Sequence, residues 1–142
     1  MKVLVIPAST KTATAAIRSL LKIHQTSPPD QPVEIKAVYR GTGKAPAEFT
    51  SQANFEAVKG DISDASSLDF AGADAVLTVT PPVFDGRDMV KNAETVSKNV
   101  KGAIERASSV KRLVLLSSIG AHLSEGVVSC VVAHSARTPC CV

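Results

Sequence analysis

Tryptophan is absent from this sequence, tyrosine occurs once and phenylalanine four times. So few flat rings leave no stacking platform for single-stranded nucleic acid. The charge balance agrees: 16 basic residues against 13 acidic ones give a net charge of +3, too mild to mark a polyanion as partner. Long hydrophobic runs are also missing. No stretch approaches the ~18 apolar residues of a membrane span. The N-terminal run Val3–Ile6 is shorter than the ~7 residues of a signal-peptide core, and Pro7 ends it. The expectations are therefore no nucleic acid, no membrane and a cytoplasmic location. Cysteine is scarce until the last thirteen residues, which hold Cys130, Cys140 and Cys141. They lack the paired C-x₂₋₄-C spacing of zinc sites, even with His134 between them, and read as reduced thiols with no metal.

What is present is a rhythm of apolar strands and amphipathic helices over 142 residues, long enough for one domain with a real core. Val3–Ile6 is continuously apolar, as in a strand covered on both faces. The helix after it carries Ala13, Ile17, Leu20, Leu21 and His24 on one face, capped by Thr10 or Thr12, and "SPPDQP" stops it. Val33–Tyr39 alternates as a second strand. Ala47–Ala53 reads as a short helix, and "FEAVKGD" from Phe55 as a third strand. "SDASSLDFAG" suits one or two helical turns capped by Ser63 or Asp64. Ala73–Thr80 is a fourth strand closed by Pro81–Pro82. Gly86–Ala107 is the longest helix, with Met89, Ala93, Val96, Val100, Ala103, Ile104 and Ala107 in its stripe and Asp85 and Asp88 at its start. Lys111–Ser118 is a fifth strand. This alternation predicts an α/β fold: a doubly wound parallel sheet of Rossmann type, order 3-2-1-4-5.

Ligands of such sheets sit at the carboxyl ends of the strands where the order reverses, here between strands one and four. The turn bordering that point contains no glycine. Its residues Ala8, Ser9, Thr10, Lys11 and Thr12 offer small size, hydroxyls, an ammonium and a helix N-terminus to a phosphate. The alternative is a plain strand–helix turn capped by threonine. Arg40, with Lys44 four residues on, ends strand two where an NAD site usually has Asp or Glu. A guanidinium there suits the 2′-phosphate of NADP, or else is a solvated surface arginine. Asp61, with Ile62 beside it, follows strand three and either accepts an adenine amino group or caps the next helix. Thr78, Thr80 and Pro81 end strand four beside the switch point. Ser117 and Ser118 end strand five, their hydroxyls toward a nicotinamide or on the backbone.

The ordered set "VLVIPAST", "VYRG", "VKGDISDASSL", "AVLTVTPP" and "KRLVLLSSIGAH" resembles the NmrA-like family of atypical short-chain dehydrogenase/reductases, in its fungal form, over roughly residues 1–126. The resemblance implies a domain binding NAD(P), most often NADP, followed by a smaller substrate part. The family's TGATGxxG falls on Pro7–Thr14 with every glycine replaced. Residues 127–142 match nothing in the family and read as a divergent tail of a truncated product, either disordered or, through "GVVSCVVA", an added edge strand. An open sheet edge beside that tail predicts self-association. No Tyr-x₃-Lys pair is present, so no catalytic residue is assigned. Two functions follow from the resemblance. One is an NADP-dependent oxidoreductase of a small carbonyl or quinone, with this chain binding without turnover. The other is a nicotinamide-redox sensor docking on a protein partner, or a remnant without function.

Overall fold

The computed structural model describes residues 1–26, 32–83 and 85–116. Five strands run β1 (Lys2–Ile6), β2 (Glu34–Tyr39), β3 (Phe55–Lys59), β4 (Ala75–Val79) and β5 (Arg112–Leu116). They form one sheet in the order β3-β2-β1-β4-β5. Every pairing is parallel, so Val3 faces Ile35 on one side and Ala75 on the other. The expected doubly wound sheet is the one observed.

The continuous apolar run of β1 is explained by its central place. Side chains alternate between faces along a strand, so Val3 and Val5 enter one core layer while Leu4 and Ile6 enter the other. The first layer lies under α1 (Lys11–Thr26), whose Ala13, Ile17 and Leu21 pack on Ile35, Ala37 and Tyr39. Leu20 and His24, at the margins of the stripe, are only half-buried. The second layer lies under α3 (Met89–Ala107), whose Val96, Val100 and Ala103 meet Val76, Phe70 and Leu68. Burying one such aliphatic side chain contributes about 1.5–3 kcal/mol, so these two stripes fix the helices to their faces. The short α2 (Ala47–Thr50) drives Phe49 into the first layer. Its Glu48 also takes a 2.6 Å bond from Arg18 of α1.

Several boundaries differ from expectation. α3 starts at Met89 rather than Gly86, because Asp88 is the cap: its carboxylate accepts the N–H groups of Val90 (2.9 Å) and Lys91 (3.2 Å). Gly86, at φ +82°, sits in the preceding loop in a conformation that no helix uses. Asp85 spends its carboxylate on Arg87. The β3–β4 crossover contains one 3₁₀ turn, Ala65–Ser67, capped by Asp64 and not by Ser63. β5 is exposed along its whole length, with Leu113, Val114, Leu115 and Leu116 between 39% and 56% accessible among the described residues. No helix of the described residues is long and apolar enough to cross a membrane, and none of their His, Cys, Asp and Glu side chains forms a group able to hold a metal. The three cysteines and His134 lie outside the described residues.

Candidate functional site: the switch point of the sheet

At β1 the sheet order reverses: β2 lies on one side and β4 on the other. The carboxyl end of β1 leaves through a cis Ile6–Pro7 peptide into the glycine-free turn. Each side chain standing where the resembling pattern has glycine is accounted for. Ala8 is wholly buried, its methyl part of the α1-side core with Ala13 and Tyr39, so it takes no room from a ligand. Its N–H donates to the Val38 carbonyl at 2.9 Å, stitching the turn to β2. Lys11 projects from the first turn of α1 and is exposed. Thr14 is half-buried and donates its hydroxyl to the Ala8 carbonyl at 3.2 Å.

Thr10, not Thr12, caps α1. Its Oγ1 accepts the Ala13 N–H at 3.2 Å and donates to the Pro7 carbonyl at 3.4 Å. The hydroxyl thereby bonds within the turn at both its donor and its acceptor side. The N–H groups of Lys11 and Thr12 have no intrahelical acceptor, and α1 has no acidic residue in its first turn. The positive end of the helix dipole therefore faces outward with Ser9, Lys11 and Thr12 exposed around it.

β2 buries Val38 in one core layer and Tyr39 in the other, and Arg40, just beyond the strand's last residue, is exposed. Arg40 forms no ion pair among the described residues. A second cation, Lys44, is exposed in the 3₁₀ turn Thr42–Lys44 just beyond. Tyr39, the sole tyrosine, is 2% exposed, and its buried hydroxyl has no hydrogen-bond partner among the described residues. Burial pushes its phenol above the ordinary value near 10.

At the end of β3, Gly60 donates to the Tyr39 carbonyl at 2.9 Å, and Asp61 then turns the chain. Its Oδ1 accepts the Ser63 N–H at 2.9 Å, and its backbone is held on both sides by the Ser67 hydroxyl. Asp61 thus shapes its own turn while Asp64 caps the helical one. Ile62 is 4% exposed and anchors the turn in the α3-side core. Arg87, in the loop before α3, is held in its charged form first by its hydrogen bond to Asp85 and by that carboxylate's charge, with Asp61 the smallest contributor. Thr80 and Pro81 are half-buried at the end of β4, whereas Thr78 is 4% exposed inside the sheet and does not line the cleft. Ser117 and Ser118 lie outside the described residues. Sequence reading missed Thr14, Ser67, Arg87 and Asn99, whose amide donates to the Ile62 carbonyl. Only Asn99 carried a signal, a polar residue at the margin of an apolar helical stripe. A cavity of ≈ 210 Å³ lies apart from this site, on the α3 side of β2 and β3, between Lys36, Val38, Val58 and the segment Ser67–Phe70. The crossover covers the sheet there with a single 3₁₀ turn in place of a long helix.

Comparison with known proteins adds the family. No curated protein matches the chain. Among solved structures, the fold is that of the triphenylmethane reductase of Citrobacter sp., at 25% identity and TM-score 0.74 over 95% of this chain and 43% of that one. That reductase is also known in complex with NADP(H). A nucleoside-diphosphate-sugar epimerase of Staphylococcus aureus matches at 14% identity and TM-score 0.75, over 96% of this chain and 45% of the other. An NADPH-dependent quinone oxidoreductase of Escherichia coli, complexed with NADPH, matches at 20% and 0.66, over 96% and 44%. The chain spans less than half the length of each of these three. Its residues 8–132 match the profile of the NAD(P)H-binding family, and with most of its length so matched the chain belongs to that family.

Proposed function

We propose that the protein holds NADP(H), in preference to NAD(H), as the dinucleotide-binding part of an NmrA-like reductase acting on a small carbonyl or quinone compound. The observation that carries this reading is Arg40: an exposed guanidinium without an ion pair among the described residues, at the end of the strand beside β1. A carboxylate at that point would repel a 2′-phosphate, whereas a guanidinium offers it two parallel charge-assisted bonds. Lys44 adds a second cation in the following turn. The pyrophosphate would meet the amino end of α1, where Ser9, Lys11 and Thr12 present donors and the dipole favours an anion. Asp61 keeps one carboxylate oxygen for the adenine amino group, with Ile62 beside it. Thr80 and Pro81 border the path toward the nicotinamide.

Bound NADPH supplies a hydride. The residues at hand bind and orient it, but none of them is a proton donor. Tyr39 is sealed in the core at the adenosine end, and Tyr-x₃-Lys is absent. Binding without turnover is therefore the reading for this chain, and it equally suits a sensor of nicotinamide redox state that docks on a protein partner. The test of the phosphate assignment is Arg40→Asp. Losing charge-assisted bonds of about 1.5–3 kcal/mol corresponds to a roughly 10- to 150-fold loss of NADPH affinity with NADH affinity spared. An unchanged NADPH-over-NADH ratio rejects the role of Arg40. Steady consumption of NADPH with quinones or aldehydes would reject binding without turnover.

A further inference from the structure

α3 carries two polar side chains on the side that faces the β3–β4 crossover. Asn99, half-buried, lies at the margin of the buried stripe, three residues after Val96 and four before Ala103. Its Nδ2 donates to the Ile62 carbonyl at 3.1 Å, across 37 residues of sequence. Arg106, two turns on, donates through Nη2 to the carbonyls of Ala65 at 3.1 Å and Leu68 at 3.4 Å. The remaining polar bonds of the segment are short-range ones. Ser63 N–H goes to Asp61, Ser66 N–H to Asp64, and the Ser67 hydroxyl bridges the Asp61 and Asp64 carbonyls. Those bonds shape the turn, but they do not place it relative to the sheet and helix. Placement falls to the burial of Ile62 and Leu68 and to these two donors.

We propose that Asn99 is a positioning residue for the adenine end of the dinucleotide site, with Arg106 securing the far end of the same segment. The inference rests on the reading of Asp61 and Ile62 as that end. An amide fixed in a helix interior locks the Ile62 carbonyl, and the carbonyl locks the direction in which Asp61 presents its free oxygen. A recognition group held by a well-packed supporting partner keeps its geometry; without the partner it samples several. The link also joins α3 to the turn at residues 61–67.

The test uses the full chain and adenosine 2′,5′-bisphosphate, titrated calorimetrically against Asn99→Asp, Asn99→Ala and Asn99→His. Aspartate keeps the shape and loses the donor. Histidine restores a donor through Nδ1–H at nearly the same place. The expected result is an affinity loss of about tenfold in N99D and N99A, corresponding to one lost hydrogen bond and its orphaned acceptor, with N99H recovering most of it. Hydrogen exchange without ligand should show residues 61–67 opening faster in N99D than in N99H. Should the Asn99 variants not fold, Arg106→Gln, at an exposed position, is expected to lose about two- to threefold. Equal affinity and exchange in all variants overturns the proposal, and so does equal loss in N99H and N99D, which marks a merely steric role. A wild-type chain that binds neither this fragment nor NADPH overturns the underlying reading as well, whereas a binding wild type with indifferent variants removes Asn99 alone.

Discussion

Replacing Gly60 by alanine places a methyl group where the molecule has no room. The added Cβ would stand 2.8 Å from Cγ1 of Val38 and 3.1 Å from the carbonyl oxygen of Ser67. Val38 is 5% exposed and packed in the core, which restrains its methyl, and the second neighbour is backbone. Something must move by several tenths of an ångström, and the least restrained element is the 61–67 turn. Overpacking of this kind costs about 1–3 kcal/mol. The displacement also pulls Ser67 from the Asp61 N–H that its hydroxyl now meets at 2.9 Å. Gly60→Ala is therefore expected to lower the urea midpoint at unchanged slope and to weaken NADPH binding. Adding Val38→Ala should recover part of the loss, giving a coupling of about 0.5–2 kcal/mol in a double-mutant cycle. A Gly60→Ala protein as stable as the wild type, or a double mutant whose losses simply add, would refute the reasoning.

Ser108 ends α3 at φ +46°, a left-handed conformation that costs a non-glycine residue about 1–2 kcal/mol. After glycine's greater unfolded-state entropy is deducted, Ser108→Gly should gain about 0.5–1 kcal/mol in thermal unfolding, and a loss would contradict the cap geometry. Tyr39→Phe removes a buried hydroxyl without a partner among the described residues and should stabilise the fold by about 1 kcal/mol. Because Tyr39 is the sole tyrosine and tryptophan is absent, phenolate absorbance reports this one group. It should titrate above 10 when folded and fall to the ordinary value in denaturant. The raised value means that its contribution is fully present below pH ~10 and is lost as pH rises toward the folded pKa. The Asp74 carboxylate accepts the Lys2 N–H at 2.8 Å and lies near the N-terminal ammonium, Lys111 and Arg112; the hydrogen bond first, and those charges after it, hold its pKa low. Its contribution is present above pH ~3.9 and lost as pH falls through the lowered value, so Asp74→Asn should flatten the acid limb of stability. An acid limb of unaltered slope would contradict that assignment.

The sheet and both long helices were legible because burial on two faces writes itself into the sequence as continuous apolar runs and helical stripes. Val3–Ile6, Val96 and Val100 needed no tertiary information. Helix ends were less legible where several capping residues compete. Asp85, Asp88, Ser63 and Asp64 are all able to cap, and only the backbone path decides that Asp88 and Asp64 do so. The turn after β1 was legible in its place at the reversal of strand order but not in its wiring. The bond from Thr14 to Ala8 and the double use of Thr10 depend on where side chains point. Asn99 was hidden for a different reason: its acceptor lies 37 residues away, and a single polar residue at the margin of a stripe does not name its partner. Arg40 was singled out from its place at the end of the second strand, where a basic residue stands in place of the Asp or Glu usual in an NAD site.

The central claim is that a turn without glycine, backed by Arg40, still holds a nicotinamide dinucleotide and selects the phosphorylated one. Calorimetric titration of the folded chain with NADPH, and then with NADH, tests it most directly. The account predicts saturable binding of NADPH and weaker binding of NADH. Binding of neither, or equal binding of both, would contradict it.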